Sequence, residues 1–179
     1  ENGLQSVANP SEMMLDSRPK NTCGWVVVHC IEGTRPLLIE LQGLVSPTGF
    51  GNPRRMATGM DYNRMVLLMA IMEKRLGIQM QSVDAYINVV GGIKVDEPAL
   101  DLGVIAVLYS SLRDFQIPGD LMILGEVRNI QHIEKRLIEG KKLGFKRCII
   151  PKGNQKGLKM AGMEVLPVDN IRSALDILL

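Results

Sequence analysis

From residue 25 onward, apolar positions alternate between short β-type runs and stretches of helical period. Trp25 to Ile31 is a continuous β-rich run, and Leu37 to Val45 is a second. Glu32-Gly33-Thr34-Arg35-Pro36 lies between them, so the pair predicts a hairpin with a turn longer than two residues. Ser46 to Gly59 holds Pro47, Gly49, Gly51 and Pro53 and is expected to be a long loop. Asp61 is placed to cap a helix to about Leu76, with Met65, Leu68, Met69, Met72 and Leu76 on one face and Gly77 as its stop. A methionine stripe at that spacing reads as core, not as a binding groove.

The alternation then continues. Asp84 to Val90 predicts a strand ended by Gly91-Gly92, Leu100 to Arg113 a helix, and Leu121 to Leu124 a short strand. Ile130 to Leu143 predicts a helix closed by Gly144, Arg147 to Ile150 a strand, and Met163 to Leu166 another, before a helix capped by Asp169 that runs through Leu178. Short connections between alternating strands and helices favour β-α-β units in a layered α/β or α+β sandwich. Residues 1–22 are polar, with Pro10 and Pro19 and no sustained period, and read as a connector; residues 23–179 read as one domain.

Composition narrows the class. Hydrophobic residues make up 46% and charged residues 22%, which supports a packed core and argues against intrinsic disorder. No apolar run reaches the ~18 residues of a membrane span. The chain opens Glu1-Asn2-Gly3 without an initiator Met or a basic, then apolar, leader, which leads us to expect a piece of a longer protein in the cytoplasm. Cys23, Cys30 and Cys148 are widely spaced and odd in number, so they suggest neither a zinc knuckle nor a disulfide framework. The net charge of +2 hides an asymmetry. Nine basic residues against Glu134 and Glu139 give +7 between residues 134 and 159, leaving −5 for the rest. Clustered Lys and Arg can neutralise phosphates, although no aromatic residue interleaves them to stack bases, and a solvated helix face is the plainer reading.

Familiar catalytic patterns are missing. His29 and His132 are far apart and outside any HExxH, and Gly91-Gly92-Ile93-Lys94 is too short for a phosphate-binding loop. Ser46, Ser110 and Ser111 lie in no GxSxG elbow. Cys30 next to His29 on a strand would point to the opposite face from it. Asp96, Glu97 and Asp101 crowd the turn before a helix, where caps and helix-dipole partners are expected.

That turn also carries a resemblance. Val89-Val90-Gly91-Gly92, Glu97-Pro98-Ala99, Ile133-Glu134-Lys135-Arg136-Leu137, Leu143-Gly144-Phe145-Lys146-Arg147 and Ile149-Ile150-Pro151 resemble the proteolytic domain of Lon-type proteases. That family uses a Ser-Lys dyad. Its serine position falls on Ala99 and its lysine position on Arg136. Alanine has no hydroxyl, and an arginine stays protonated, so the resemblance together with these residues implies no peptidase activity. Lys135 is adjacent to Arg136 but about 100° away around a helix.

A more specific resemblance runs through Val7-Ala8-Asn9-Pro10-Ser11-Glu12, Glu32-Gly33-Thr34-Arg35-Pro36-Leu37 and Pro53-Arg54-Arg55-Met56-Ala57-Thr58-Gly59-Met60-Asp61. It continues through Asn63-Arg64, Asn88 to Gly92, Glu97-Pro98-Ala99, Asp101-Leu102 and Leu143 to Arg147. In order and extent these are similar to the C-terminal, Lon-protease-like domain of RadA-type DNA repair ATPases. The resemblance implies the α+β sandwich of the ribosomal protein S5 domain 2-like group, with mixed sheets and helices. It implies a homo-hexamer scaffold that contacts single-stranded or branched DNA during branch migration, without a membrane. ATP, Mg and Zn would belong to domains upstream, and none to this one. Lys141, Lys142, Lys146 and Arg147 are the expected phosphate contacts, with Arg54 and Arg55 as second choice. The alternatives are a Lon-type serine peptidase with an unconventional dyad, or an oligomerisation scaffold that does not touch DNA. Leu124-Gly125-Glu126-Val127-Arg128 is about six residues shorter than the family pattern, from which we expect a mobile loop missing from the sequence rather than a true deletion.

Overall fold

The computed structural model describes residue 11 and residues 22–49, 51–125 and 129–179. Within them a seven-stranded mixed sheet carries four α-helices, an α/β arrangement compatible with the α+β class expected above. Strands β1 (Trp25–Glu32) and β2 (Arg35–Pro47) form the predicted hairpin. Its turn is tighter than expected. Glu32 pairs with Arg35, so only Gly33 and Thr34 turn the chain. Gly33 takes φ +63°, a left-handed conformation that costs a side chain but not a glycine.

The expected long loop also holds a strand. The tail of β2 reaches Pro47, and β3 (Arg55–Thr58) pairs in parallel with β4 (Val83–Val89). Four residues between Gly- and Pro-rich flanks leave too short an alternation to read. Strands β5 (Leu121–Ile123), β6 (Arg147–Pro151) and β7 (Glu164–Val168) complete the order β3-β4-β2-β1-β5-β6-β7. Only β2 runs against its neighbours.

The predicted helices are present. Helix α1 (Tyr62–Ile71) is capped by Asp61, whose carboxylate accepts the Arg64 N–H at 2.8 Å, and passes through a π-turn (Met72–Leu76) to Gly77. Met65, Leu68, Met69 and Met72 are buried, so the methionine stripe is core. Helix α2 (Asp101–Arg113) follows a 3-10 turn at Pro98–Leu100. It is buried on more sides than the single predicted face, because it lies under the sheet's centre. Helix α3 (Ile133–Lys142) sits on the opposite face. Helix α4 (Ile171–Leu178) is capped by Asn170, whose side chain accepts the Ser173 N–H at 2.9 Å. Asp169, the expected cap, instead receives Lys152 at 2.9 Å.

The strand period divides the core. Val26, Val28 and Cys30 of β1 face α1, α2 and α4, while Trp25 and Val27 face α3. Burying these faces supplies most of the driving force, at roughly 25 cal/mol per Å² of apolar surface. Helix α3 covers only part of its face, and Leu44 and Met56 stay 57% exposed beyond it. Of the expected connector, Ser11 is buried, and its hydroxyl accepts the Leu38 N–H at 3.0 Å. Residues 1–10 and 12–21 lie outside the described residues, as do Glu126, Val127 and Arg128 of the shortened segment. No helix among the described residues is long and apolar enough to cross a membrane.

The caps provide a direct check. Asp61→Ala and Asn170→Ala should each lower unfolding stability by about 1 kcal/mol in urea titrations. Asp169→Ala, which breaks only an exposed pair, should stay within about 0.5 kcal/mol.

Candidate functional site

A cleft of about 380 Å³ opens at the carboxyl-terminal end of β1. Ile31 and Gly33 form one wall at the hairpin tip, Pro98 and Ala99 a second, and Asn129 to His132 a third. Arg136 forms the floor. Open α/β sheets place ligand sites at this end of their strands.

Short-range contacts hold the walls. Gly125 leaves β5 with φ +115°, donates its N–H to the Ala99 carbonyl at 2.9 Å and accepts the Leu102 N–H at 3.0 Å. A Cβ there would meet Pro151 Cγ at 2.6 Å, so the close approach needs glycine. The Asn154 side chain clips Ile130, accepting its N–H at 2.9 Å and donating to its carbonyl at 2.8 Å. The Arg64 guanidinium grips Asp101 with two bonds of 2.5 and 2.6 Å and ties α1 to the start of α2.

Arg136 joins these walls. Its side chain is 2% exposed, on a helix that buries few other residues. Nε donates to the Gln131 carbonyl at 3.0 Å, and Nη1 to the His29 carbonyl at 2.8 Å. Nη2 forms an ion pair with Glu97. The second oxygen of Glu97 accepts the Ile31 N–H at 2.9 Å. One guanidinium thus links α3, β1 and the turn before α2. Glu97 is therefore not the cap expected of it: no side chain caps the 3-10 turn or α2.

Ala99 and Arg136 meet in this cleft although they are 37 positions apart in sequence. Ala99 is 2% exposed and brings a methyl where the resembled family has a hydroxyl. Lys135 lies on the exposed side of α3. Ser110 and Ser111 hold backbone. Ser110 Oγ accepts the Gly24 N–H at 2.8 Å and donates to the Phe115 carbonyl at 2.5 Å, and Ser111 Oγ accepts the Val45 N–H at 2.9 Å. Cys30 and His29 point to opposite faces of β1, and burial, with Glu97 adding to it, pushes the Cys30 thiol up to about 12. No group of three or more potential metal ligands occurs among the described residues.

His29 is fully buried, and neither ring nitrogen has a hydrogen-bond partner among the described residues. Burial first, and then the positive Arg136, push its imidazole down to about 3. It is neutral at every ordinary pH.

The expected DNA contacts lie at the other end of the sheet. Lys141 and Lys142 end α3, and Lys146 and Arg147 open β6, so these four share one rim. Arg54 and Arg55 begin β3, five inter-strand spacings or about 24 Å away. Their engagements differ. Lys141 donates to the Ala161 carbonyl at 2.6 Å. Arg147 pairs with Asp120 at 2.5 Å, and that hydrogen bond holds the Asp120 carboxyl below the usual range. Arg55 donates to the carbonyls of Arg54 at 3.0 Å, Met80 at 2.5 Å and Val83. Lys142, 67% exposed, lies 3.8 Å from Glu139, and Lys146 and Arg54 project into solvent.

The chain is 49% identical over 186 residues to the DNA repair protein RadA of Halalkalibacterium halodurans, an alignment that takes in all of this chain and 41% of that protein. It is 50% identical over 182 residues to RadA of Bacillus subtilis, covering 98% of the chain and 40% of the relative. RadA of Synechocystis is 44% identical over 185 residues, all of the chain and 36% of the relative. The chain belongs to the RadA family. It is a segment of it, spanning about two fifths of the length of these curated relatives, consistent with the C-terminal domain. No protein-family model matches the chain. Among the stretches quoted for the RadA resemblance, Gly33, Glu97, Pro98 and Ala99 line the cleft.

Two predictions follow the geometry. Arg136→Met should cost about 3–5 kcal/mol of unfolding free energy, because it strands Glu97 and the buried His29 carbonyl, whereas Arg147→Ala at its half-exposed pair should cost less than about 1. The second concerns acid. The unfolded chain binds a proton at His29 near pH 6.5 and the folded chain near 3, so this stabilisation is complete above about 6.5 and is lost as pH falls towards 3. At pH 5 the loss should be about 2 kcal/mol, at 1.36 kcal/mol per unit. A His29→Leu variant compared with wild type by urea unfolding at pH 7.5 and pH 5 should lack that increment.

Proposed function

We propose that the chain is the non-proteolytic, Lon-like domain of a RadA-type DNA repair and recombination ATPase. In this reading it adopts the ribosomal protein S5 domain 2-like sandwich, assembles as a homo-hexamer and gives the ring a sequence-independent DNA contact during branch migration in the cytoplasm. ATP, Mg and Zn belong to the rest of such a protein.

The observation that carries the proposal is the pairing of Ala99 with Arg136 in one cleft. A Ser-Lys peptidase needs an oxygen nucleophile and an amine that can lose its proton. Here the first position is a methyl. The second is a guanidinium, charged at any physiological pH and held by two carbonyls and a carboxylate. A displaced dyad gains no support, since Ser110 and Ser111 are engaged with backbone and Lys135 faces solvent. The pure-scaffold reading draws on the engagement of Lys141, Arg147 and Arg55, which leaves fewer free cations than the sequence count suggests.

Two measurements test this. Light scattering should find particles of six times 19.8 kDa, and casein incubated with the chain should remain intact. Casein cleavage that disappears in an Arg136→Ala variant would show an active peptidase and overturn the reading. A monomer at all concentrations would remove the scaffold.

A further inference from the structure

We infer that neighbouring subunits join helix to sheet: the outer face of α1 on one copy packs on the uncovered face of β2, β4 and β3 on the next. This rests on the reading of the chain as a ring subunit and names the two surfaces that close the ring.

The sheet is covered unevenly. Val45, Ala85 and Ile87 turn towards α1 and α2. The alternate positions turn to the other side, where α3 packs with Trp25, Val27, Leu38 and Met122 over β1, β5 and the start of β2. Leu44, Tyr86 and Met56 lie beyond it. The register sets them in one row, Leu44 opposite Tyr86 and Tyr86 opposite Met56. Leu44 and Met56 are 57% exposed, and Tyr86 is partly buried. The row crosses two inter-strand spacings, about 10 Å, which is the diameter of one helix. A sheet face this apolar calls for a packed layer on it.

Helix α1 has the matching surplus. Its only polar side chains are Asn63, Arg64 and the Tyr62 hydroxyl, and it is apolar on both sides. Met65, Leu68 and Met69 face the core, while Tyr62, Val66 and Leu67 stay between 39% and 59% exposed, with exposed Ala70 beside them. A helix apolar all round is a buried helix. Each patch is on the order of 300 Å², the size at which an exposed apolar surface marks an interaction site.

The two patches lie on opposite sides of the same sheet, so one chain cannot cover its own. A second copy can, because the chain carries both halves of the contact. Contacts between two different patches repeat head to tail, which is how a ring closes. Charge stays at the margins, as in subunit contacts. Asp61 precedes the helix patch, and Glu73, Lys74 and Arg75 follow it. Arg54 and Asp84 flank the sheet row, where Asp84 accepts the Thr48 hydroxyl at 3.0 Å and the Arg54 N–H at 2.8 Å. The exposed Arg54 guanidinium makes no ion pair among the described residues and is available to exposed Asp61 of the next copy.

Light scattering on variants, alone and mixed, tests the pairing. Wild type should scatter as six times 19.8 kDa. Val66→Glu/Leu67→Glu, which spoils the helix patch, and Leu44→Glu/Met56→Glu, which spoils the sheet patch, should each fall sixfold in mass to monomers with an unchanged circular dichroism spectrum. Ile138→Glu, at an exposed apolar position on α3, should stay hexameric. An equal mixture of the two double variants retains one good helix patch and one good sheet patch, and should recover a dimer of two times 19.8 kDa. Monomers from each variant with no dimer on mixing would overturn the helix-to-sheet pairing. A hexamer that survives either double variant would show that something else covers that patch, and the inference fails while the ring reading stands. A monomeric wild type removes both.

Discussion

One buried cation organises the cleft end of this domain. Removing a guanidinium from water is costly, and the cost is offset only where every direction of the fork finds an oxygen. Arg136 meets that condition with the carbonyls of Gln131 and His29 and the carboxylate of Glu97. Each acceptor lies on a different segment: the loop before α3, the central strand β1, and the turn that starts α2. Glu97 passes the constraint on by accepting the Ile31 N–H. The cleft is thus shaped by an electrostatic knot more than by apolar packing, and α3, which buries only Arg136, Leu137 and Gly140, is positioned largely by it.

The same knot decides the chemistry. A residue chosen to hold backbone carbonyls must keep its protons, whereas a general base must give one up. Arg136 cannot do both: His29 beside it is driven neutral, and Glu97 is kept close as its counter-charge. Alanine at position 99 completes the loss, with its carbonyl bound to Gly125 and its methyl in the core. In the proposed account a former reaction centre has become a structural joint.

Much of this could be read from the chain. Period-two and helical patterns located the hairpin, the methionine face of α1, the last helix and the order of elements, because each is a local signal. The pairing of Ala99 with Arg136 was legible only through the Lon-type resemblance. The failures have physical causes. β3 is four residues long and set among glycines and prolines, so it shows no alternation, and it is held by register with β4. The α4 cap passed from Asp169 to Asn170 because two adjacent side chains can each cap, and only the backbone angle selects one. Glu97 looked like a helix-dipole partner, since its true partner lies 39 residues on and its other ligands are backbone groups without sequence identity. Arg55 counted as a free cation for the same reason: carbonyl acceptors are invisible in a residue list.

The most direct test of the central claim is hydrogen exchange at the Arg136 side chain, followed by nitrogen-15 NMR from pH 5 to pH 9. The account predicts Nε–H and Nη–H signals that persist across the range, with exchange slowed well below that of an exposed arginine such as Arg172, and no titration. Exchange as fast as that of Arg172, or a chemical shift that titrates near neutrality, would mean the guanidinium is not locked at the cleft floor, and the account of a structural joint would be wrong.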